Sequence, residues 1–315
     1  MKKHAYLIIA HTNFGQLKKL LTLLDDSRND IFILFDKKSL VEFSDFEQVC
    51  QKSTVQFTDR ICINWGGFSQ IKAEMLLFKT AAQTGEYSYY HLLSGMDLPL
   101  HNQDYIHAFF EKNAGHEFFT FVGEDIYQKK QPENRVKYYY KGQDLFEKSR
   151  KLHKLAVKLQ DHILVPAQRY LGTNRLKGKK IKIGYGSNWV SVSGRFVQYL
   201  LQNEAEIEQM YRNSFCADEL YKHTLLVNSE FINKLYIAEG IHDRPEDRQG
   251  NLRYINWWTG SPRTWTSEDR AELREASERG YLFSRKFDEQ VDRDIIDYVC
   301  EMVRNEKFRQ LIERF

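Results

Sequence analysis

Tyr6-Leu7-Ile8-Ile9-Ala10 and Ile31-Phe32-Ile33-Leu34-Phe35, with the helical spacing of Phe14, Leu17, Leu20, Leu21 and Leu24 between them, decide the fold. Two short, uninterrupted apolar runs suit strands that are covered on both faces, as parallel strands are. A helix between such strands makes a right-handed crossover unit. The polar turn Asp25 to Asp30 separates helix from second strand, and Asp36 ends the second run. The same alternation continues. Helices are expected over 69–82, 105–111, 194–201, 218–226 and from the capping-box pair Thr266 and Asp269 through Ser277. Strands are expected over 89–93, 117–122 and 181–192, with a long basic helical stretch over 148–171 that is open to a break at Pro166. The pattern is that of an α/β chain with a mostly parallel, Rossmann-like sheet flanked by helices. With no repeat, Pro-rich linker or low-complexity tract, residues 1–315 are expected to form one domain.

Composition narrows the function classes. The chain has 315 residues, is 42% hydrophobic and 28% charged, and carries a formal net charge of +3. This excludes a disordered or fibrous chain and gives no global sign of nucleic-acid binding. The opening Met1-Lys2-Lys3 and the apolar Ala5 to Ala10 are too short for a signal peptide, and no apolar run approaches a membrane span. Cys50, Cys62, Cys216 and Cys300 are scattered without metal spacing, which points to a reducing compartment and a cytoplasmic setting. Aromatic residues, at 14%, are abundant enough to serve both a large core and sugar-stacking platforms.

Several positions could carry chemistry. Asp36 stands at a strand end 25 positions after His11, where it can take ribose hydroxyls or simply be solvated. The turn His11-Thr12-Asn13-Phe14-Gly15 lacks a dinucleotide fingerprint, and no P-loop is present. Gly66-Gly67, ahead of a helix, offers free N–H groups to an anion or polar ligand. Asp97, in Ser94-Gly95-Met96-Asp97-Leu98-Pro99, can hold a sugar hydroxyl or cap its own turn. The one Asp-x-Asp triplet, Asp292-Arg293-Asp294, lies in an amphipathic stretch and reads as a solvated helix face.

In this order, Ile8-Ile9-Ala10-His11, Phe35-Asp36-Lys37-Lys38-Ser39, Trp65-Gly66-Gly67-Phe68-Ser69, Leu93-Ser94-Gly95-Met96-Asp97-Leu98-Pro99, Gly186-Ser187-Asn188-Trp189, Ala217-Asp218-Glu219, Leu252-Arg253-Tyr254-Ile255-Asn256-Trp257 and Leu282-Phe283-Ser284-Arg285-Lys286-Phe287-Asp288 resemble the core-2/I-branching β-1,6-N-acetylglucosaminyltransferase family, which includes the peptide O-xylosyltransferases. The resemblance spans Ala5 to about Asp297. It implies a GT-A glycosyltransferase fold and an inverting transfer of N-acetylglucosamine from UDP-GlcNAc to a sugar hydroxyl, without a metal or other cofactor. It makes Glu219 the catalytic base and gives the leaving diphosphate to Arg263, in Ser261-Pro262-Arg263-Thr264, and Lys286. His11, Asp36 and Lys38 line the uridine site, and Trp65 and Asp97 the donor pocket. Asn188, Trp189 and Trp257 fall on the acceptor side, joined by a looser alignment of Glu124, Arg135 and Lys137; Trp258 is assigned to packing. Asn188 departs from the Asp that xylosyltransferases carry, so UDP-xylose is the alternative donor. The chain resembles a bacterial member, for which the resemblance implies a glycan or a lipid-linked saccharide as acceptor.

One segment lies apart from these motifs. Between Lys148 and Lys182 there are eleven Lys or Arg and one acid, Asp161, with Leu152, Leu155, Leu159 and Ile163 on one helical stripe. Two readings are open: a helix packed on the core with a solvated basic face, or a helix docked on the inner, anionic membrane surface. A non-catalytic alternative makes this segment the working part of a membrane- or nucleic-acid-binding module.

Overall fold

The computed structural model describes residues 2–144, 150–259 and 262–306. Strands β1 (His4–Ala10), β2 (Asn29–Phe35), β3 (Thr54–Phe57) and β4 (Tyr89–Ser94) form a parallel sheet in the order β3-β2-β1-β4. A short antiparallel edge strand, Ser191–Ser193, pairs with β4. Helices α1 (Phe14–Leu24) and α2 (Phe68–Thr84) cover opposite faces. The apolar runs are unbroken because both faces are buried and side chains alternate between them. Tyr6, Ile8, Ile31, Ile33 and Phe35 pack with α1 and the C-terminal helix Arg293–Arg304. Ala5, Leu7, Phe32 and Leu34 pack with α2 and helix Gly194–Gln202.

A second, smaller sheet links remote parts of the chain. Strand β5 (Asp97–Pro99) pairs antiparallel with Phe283–Arg285, which pairs in parallel with Arg253–Ile255. Its register sets Asp97 opposite Arg285, and Ile255 beside Arg285.

Three expectations are corrected. The stretches 117–122 and 181–192 are not regular strands; apart from Ser191 and Val192 they make isolated bridges such as Phe118 with Ser191 and Phe121 with Gly186. Gly186 presses so closely on the Thr120 carbonyl that an added Cβ would stand 1.9 Å from it, and such close approaches hold the apolar residues in irregular chain. The break that Pro166 left open is also absent. The helix runs through Arg150–Leu159, a π-turn over Gln160–Leu164 and Val165–Tyr170. In the π-turn the Val165 N–H reaches back to the Gln160 carbonyl, and this wider turn accommodates a proline that has no N–H of its own. The expected start at Lys148 lies outside the described residues. Finally, Arg293 and Asp294 are exposed on the helix as expected, but Asp292 precedes it as a cap: it accepts the Ile295 N–H and also the Ser267 N–H and hydroxyl.

The irregular 117–122 stretch carries a titratable brace. Buried Glu117 accepts hydrogen bonds from the backbone and hydroxyl of Ser193. Burial pushes its carboxyl up to about 7, against the opposing pull of those hydrogen bonds. The native state therefore holds this proton more tightly than the unfolded chain does, so the group's contribution to stability declines as pH rises from about 4.5 to about 7. Thermal melts of Glu117→Gln should show a shallower loss of stability across that window than the parent chain; parallel slopes would refute the brace.

Candidate active site

The parallel register gathers the donor-side residues. Because Ala10 pairs with Phe35, and Ile9 with Ser94, the next residues of all three strands emerge at one carboxyl edge. The Asp36 N–H bonds the Ala10 carbonyl, and the Ser39 hydroxyl bonds the His11 carbonyl. Asp36 is buried; its carboxylate accepts from the Lys38 N–H at 2.9 Å and faces the Lys38 ammonium at 3.5 Å. Lys38 also reaches Asn64 at 3.0 Å, immediately before Trp65. Burial lowers the His11 imidazole from its usual range; Asp36 opposes this, while Lys286, Arg285 and Lys38 reinforce it. His11, Asp36, Lys38 and Lys286 thus share one electrostatic neighbourhood.

Asp97 is committed within the fold. One carboxylate oxygen closes its own turn by accepting the Ser94 N–H at 2.6 Å, and the other takes Arg285 at 2.9 Å. Arg285 in turn lies 4.4 Å over the Trp189 ring. Arg285 is a positioning cation that the motif reading passed over for its neighbour Lys286. The signal was the register of two sheet strands, which a linear sequence does not display. The small sheet also assembles the second cation-bearing edge. Lys286 follows Arg285, Trp257 stands two residues past Ile255, and the Arg263 N–H bonds the Asn256 carbonyl. The Arg263 guanidinium is paired with Asp269 at 2.8 Å. Among the described residues, the Lys286 ammonium has no hydrogen-bond or ion-pair partner.

Glu219 lies at the end of a short 3₁₀ turn, Ala217–Glu219. The turn is entered through Cys216 in a left-handed conformation, φ 43°, that a non-glycine residue rarely adopts. The Cys216 N–H is held by the Gly66 carbonyl, and Gly66 itself has φ 76°, with Phe215 filling the place of a side chain. Two unusual backbone positions therefore lock the Trp65 loop to the Glu219 loop. Gln70 adds a 3.0 Å bond to buried Asp218, whose carboxyl is pushed up by burial and then by Glu219 and Glu74.

Trp65, Arg135, Tyr185, Asp218, Glu219 and Trp257 line a cavity of about 550 Å³. Arg135 pairs with Glu219 at 2.6 Å and lies 4.9 Å over the Tyr185 ring. Burial works against the Arg135 charge, but Glu219 and then Tyr185 hold it firmly protonated. Trp65, 66% exposed, offers a flat rim. Behind the cavity, Lys222 is wholly buried, pairs with Glu74 and reaches Asn188 at 2.7 Å. Asn188 is thus tied to the ion pair beneath the site. Glu124 sits outside this cavity, on the wall of an adjoining one of about 640 Å³ that shares Val122 and Tyr185. Lys137 lines neither of the two; its ammonium lies 5.6 Å from the Tyr138 ring. The helix start at Gly67 does attract an anion, but it is the chain's own Asp144, which takes the Ser69 hydroxyl at 2.6 Å and the Ser69 N–H at 3.3 Å.

Residues 4–277 match the family described as Core-2/I-Branching enzyme, and the chain belongs to that family. Among curated relatives it is similar to Xylosyltransferase oxt of Drosophila melanogaster, 22% identical over 74% of this chain and 25% of that one. It is also similar to Xylosyltransferase sqv-6 of Caenorhabditis elegans, 28% identical over 38% of this chain and 16% of that one. The chain spans about a quarter or less of the length of these relatives. Among solved structures, mouse Xyloside xylosyltransferase 1 matches with 9% identity over 90% of this chain and 97% of that one, at a TM-score of 0.37. Core-mannan synthase A from Aspergillus fumigatus matches with 13% identity over 74% of this chain and 72% of that one, at 0.36.

Proposed function

We propose that this chain is an inverting glycosyltransferase that moves N-acetylglucosamine from UDP-GlcNAc to a hydroxyl of a saccharide acceptor, making a β-linkage of the 1,6 type without a metal ion. The observation that carries the reading is the Glu219–Arg135 pair in a cavity rimmed by Trp65 and Trp257, with Trp257 two residues beyond the strand whose neighbour leads to Lys286. Family membership supports glycosyl transfer. Arg135 holds one oxygen of Glu219, and the other is available to the acceptor hydroxyl. The hydroxyl proton passes to Glu219 as its oxygen bonds the anomeric carbon. The bond from that carbon to the diphosphate oxygen breaks, and UDP leaves with the electron pair. Lys286 supplies a fixed charge to the departing diphosphate, and Arg263 a planar donor fork on exchanging Asp269 for phosphate. His11, Asp36 and Lys38 hold the uridine, with Asp97 and Arg285 shaping the donor pocket. Asn188 and Trp189 take the acceptor side. The acceptor is a glycan or lipid-linked saccharide met in the cytoplasm.

The curated relatives are xylosyltransferases by name, which favours one second reading, xylose transfer from UDP-xylose. UDP release measured across UDP-sugars, with and without EDTA, tests both. The expected result is release from UDP-GlcNAc that chelation leaves intact. Release from UDP-xylose alone selects the second reading, and a strict requirement for manganese removes the cationic scheme. Release from no UDP-sugar overturns the function.

A further inference from the structure

The helical stretch Arg150–Tyr170 is mounted the wrong way round for a surface helix. Ordinarily leucines face the core and lysines face water. Here the body of the protein holds a narrow face of Ala156, Val157, Gln160, Val165 and Gln168. Gln160 is buried and bonds the Tyr139 carbonyl at 2.7 Å and the Lys141 N–H at 3.2 Å. Gln168 brackets Tyr139, accepting its N–H at 2.8 Å and donating to its carbonyl at 3.0 Å. Between them Val165 packs against Tyr138 and Tyr140. With that face anchored, the apolar stripe points outward: Leu152, Leu155 (64% exposed), Leu159 and Ile163 (57%), followed by Tyr170 and Leu171 (76%). The π-turn inserts its extra residue between Leu159 and Val165, so the anchored face and the outward face both persist beyond it. Lys151, Lys154, Lys158 and Arg169 are exposed as well.

We propose that this helix is a membrane-surface anchor, its leucine stripe entering the interface of an anionic bilayer while the flanking lysines engage lipid phosphates. Charge decides the occupant. The exposed Lys151, Lys154, Lys158 and Arg169, against the single helix acid Asp161, repel a second copy of the same surface. The same excess complements an anionic leaflet, to which each basic residue is attracted individually. An apolar stripe flanked by lysines along a helix is the pattern of an interfacial helix. From Leu171 the chain runs on to Leu176, Ile181 and Ile183, which wall the 640 Å³ cavity adjoining the candidate active site. Docking would bring that cavity close to the lipid surface. The proposal does not depend on the transfer chemistry, and its test needs no substrate.

The full chain is sedimented with vesicles of phosphatidylcholine plus phosphatidylglycerol, and with phosphatidylcholine alone, at low and high salt. Binding is expected to the anionic vesicles, weakened by salt. Leu155→Gln combined with Ile163→Gln keeps the charge and removes apolar area, and should bind about tenfold more weakly or worse. Lys151→Gln, Lys154→Gln and Lys158→Gln together should lose the preference for anionic lipid. Both variants alter exposed residues and should melt with the parent chain. Absence of binding to anionic vesicles at low salt overturns the proposal, as does undiminished binding of the Leu155/Ile163 variant, which would reveal a purely electrostatic contact. Retention on duplex DNA but not on vesicles, or self-association abolished by the Leu155/Ile163 variant without vesicle binding, overturns it in favour of those partners.

Discussion

Replacing Glu219 by Gln should lower kcat by roughly 10²–10⁴-fold while leaving UDP-sugar affinity nearly unchanged. Glutamine fills the same space beside Arg135 and can still accept its hydrogen bond, but it cannot take the acceptor's proton. The change should therefore fall on turnover and not on donor binding, measurable as UDP release against calorimetric titration with the nucleotide sugar. Loss of donor binding in step with turnover would mean that Glu219 holds the site together and is no base; retained turnover would remove the assignment outright. Arg135→Lys makes a useful companion. It keeps a positive charge but loses the planar guanidinium that both pairs with Glu219 and stacks on Tyr185. Because Arg135 holds the base, the substitution should lower kcat more than it raises the acceptor KM.

The second large effect concerns stability. Lys222 is fully buried with its ammonium on Glu74 and Asn188, and Tyr221 also donates to Glu74 at 2.7 Å. Burial pulls the lysine's pKa down, and Glu74, followed by Asp218, pulls against that shift. Lys222→Met should strip Glu74 of its counter-ion and cost about 3–5 kcal/mol, the usual penalty for one member of a buried pair. For a chain of this size that lowers Tm by on the order of ten degrees. Combining it with Glu74→Leu should recover much of the loss, because an apolar pair removes the Glu74 charge that the single variant leaves unmatched. Calorimetric melts of the two singles and the double close the cycle. A Lys222→Met chain that melts with the parent would show that the pair is no brace.

The readability of this fold varied with how many faces of an element are covered. Tyr6 to Ala10 and Ile31 to Phe35 announce themselves because both sides of the sheet are packed, so every residue is apolar. The 117–122 and 181–192 stretches carry similar residues but owe their burial to irregular chain pinned by close glycine contacts, and apolar content alone cannot distinguish that from a strand. At the candidate site, ordered motifs singled out Trp65, Glu219 and Trp257, and a looser alignment Arg135; all four line one cavity. The contacts that hold them escaped notice: Gln70 with Asp218, Lys222 with Asn188, Arg285 with Asp97 and Trp189. Each joins residues that only tertiary folding makes neighbours. The Gly66-Gly67 helix start drew a ligand hypothesis because its electrostatics were legible, whereas the identity of its anion was not; Asp144 arrives from 75 positions away.

The middle strand of the three-stranded sheet, Phe283–Arg285, has its own consequence. Among the described residues it alone pairs with both β5 and Arg253–Ile255, so a fragment ending short of it would expose two strand edges at once, beside the mouth of the pocket. Such a truncation would forfeit far more than the few residues removed. Trimming from the carboxyl side should therefore yield an insoluble, sticky product well before it reaches the large sheet, and any shortened version intended for crystallisation or engineering must keep Asp288, whose carboxylate takes the Asn13 amide at 2.8 Å and ties the tail to the first turn of the chain.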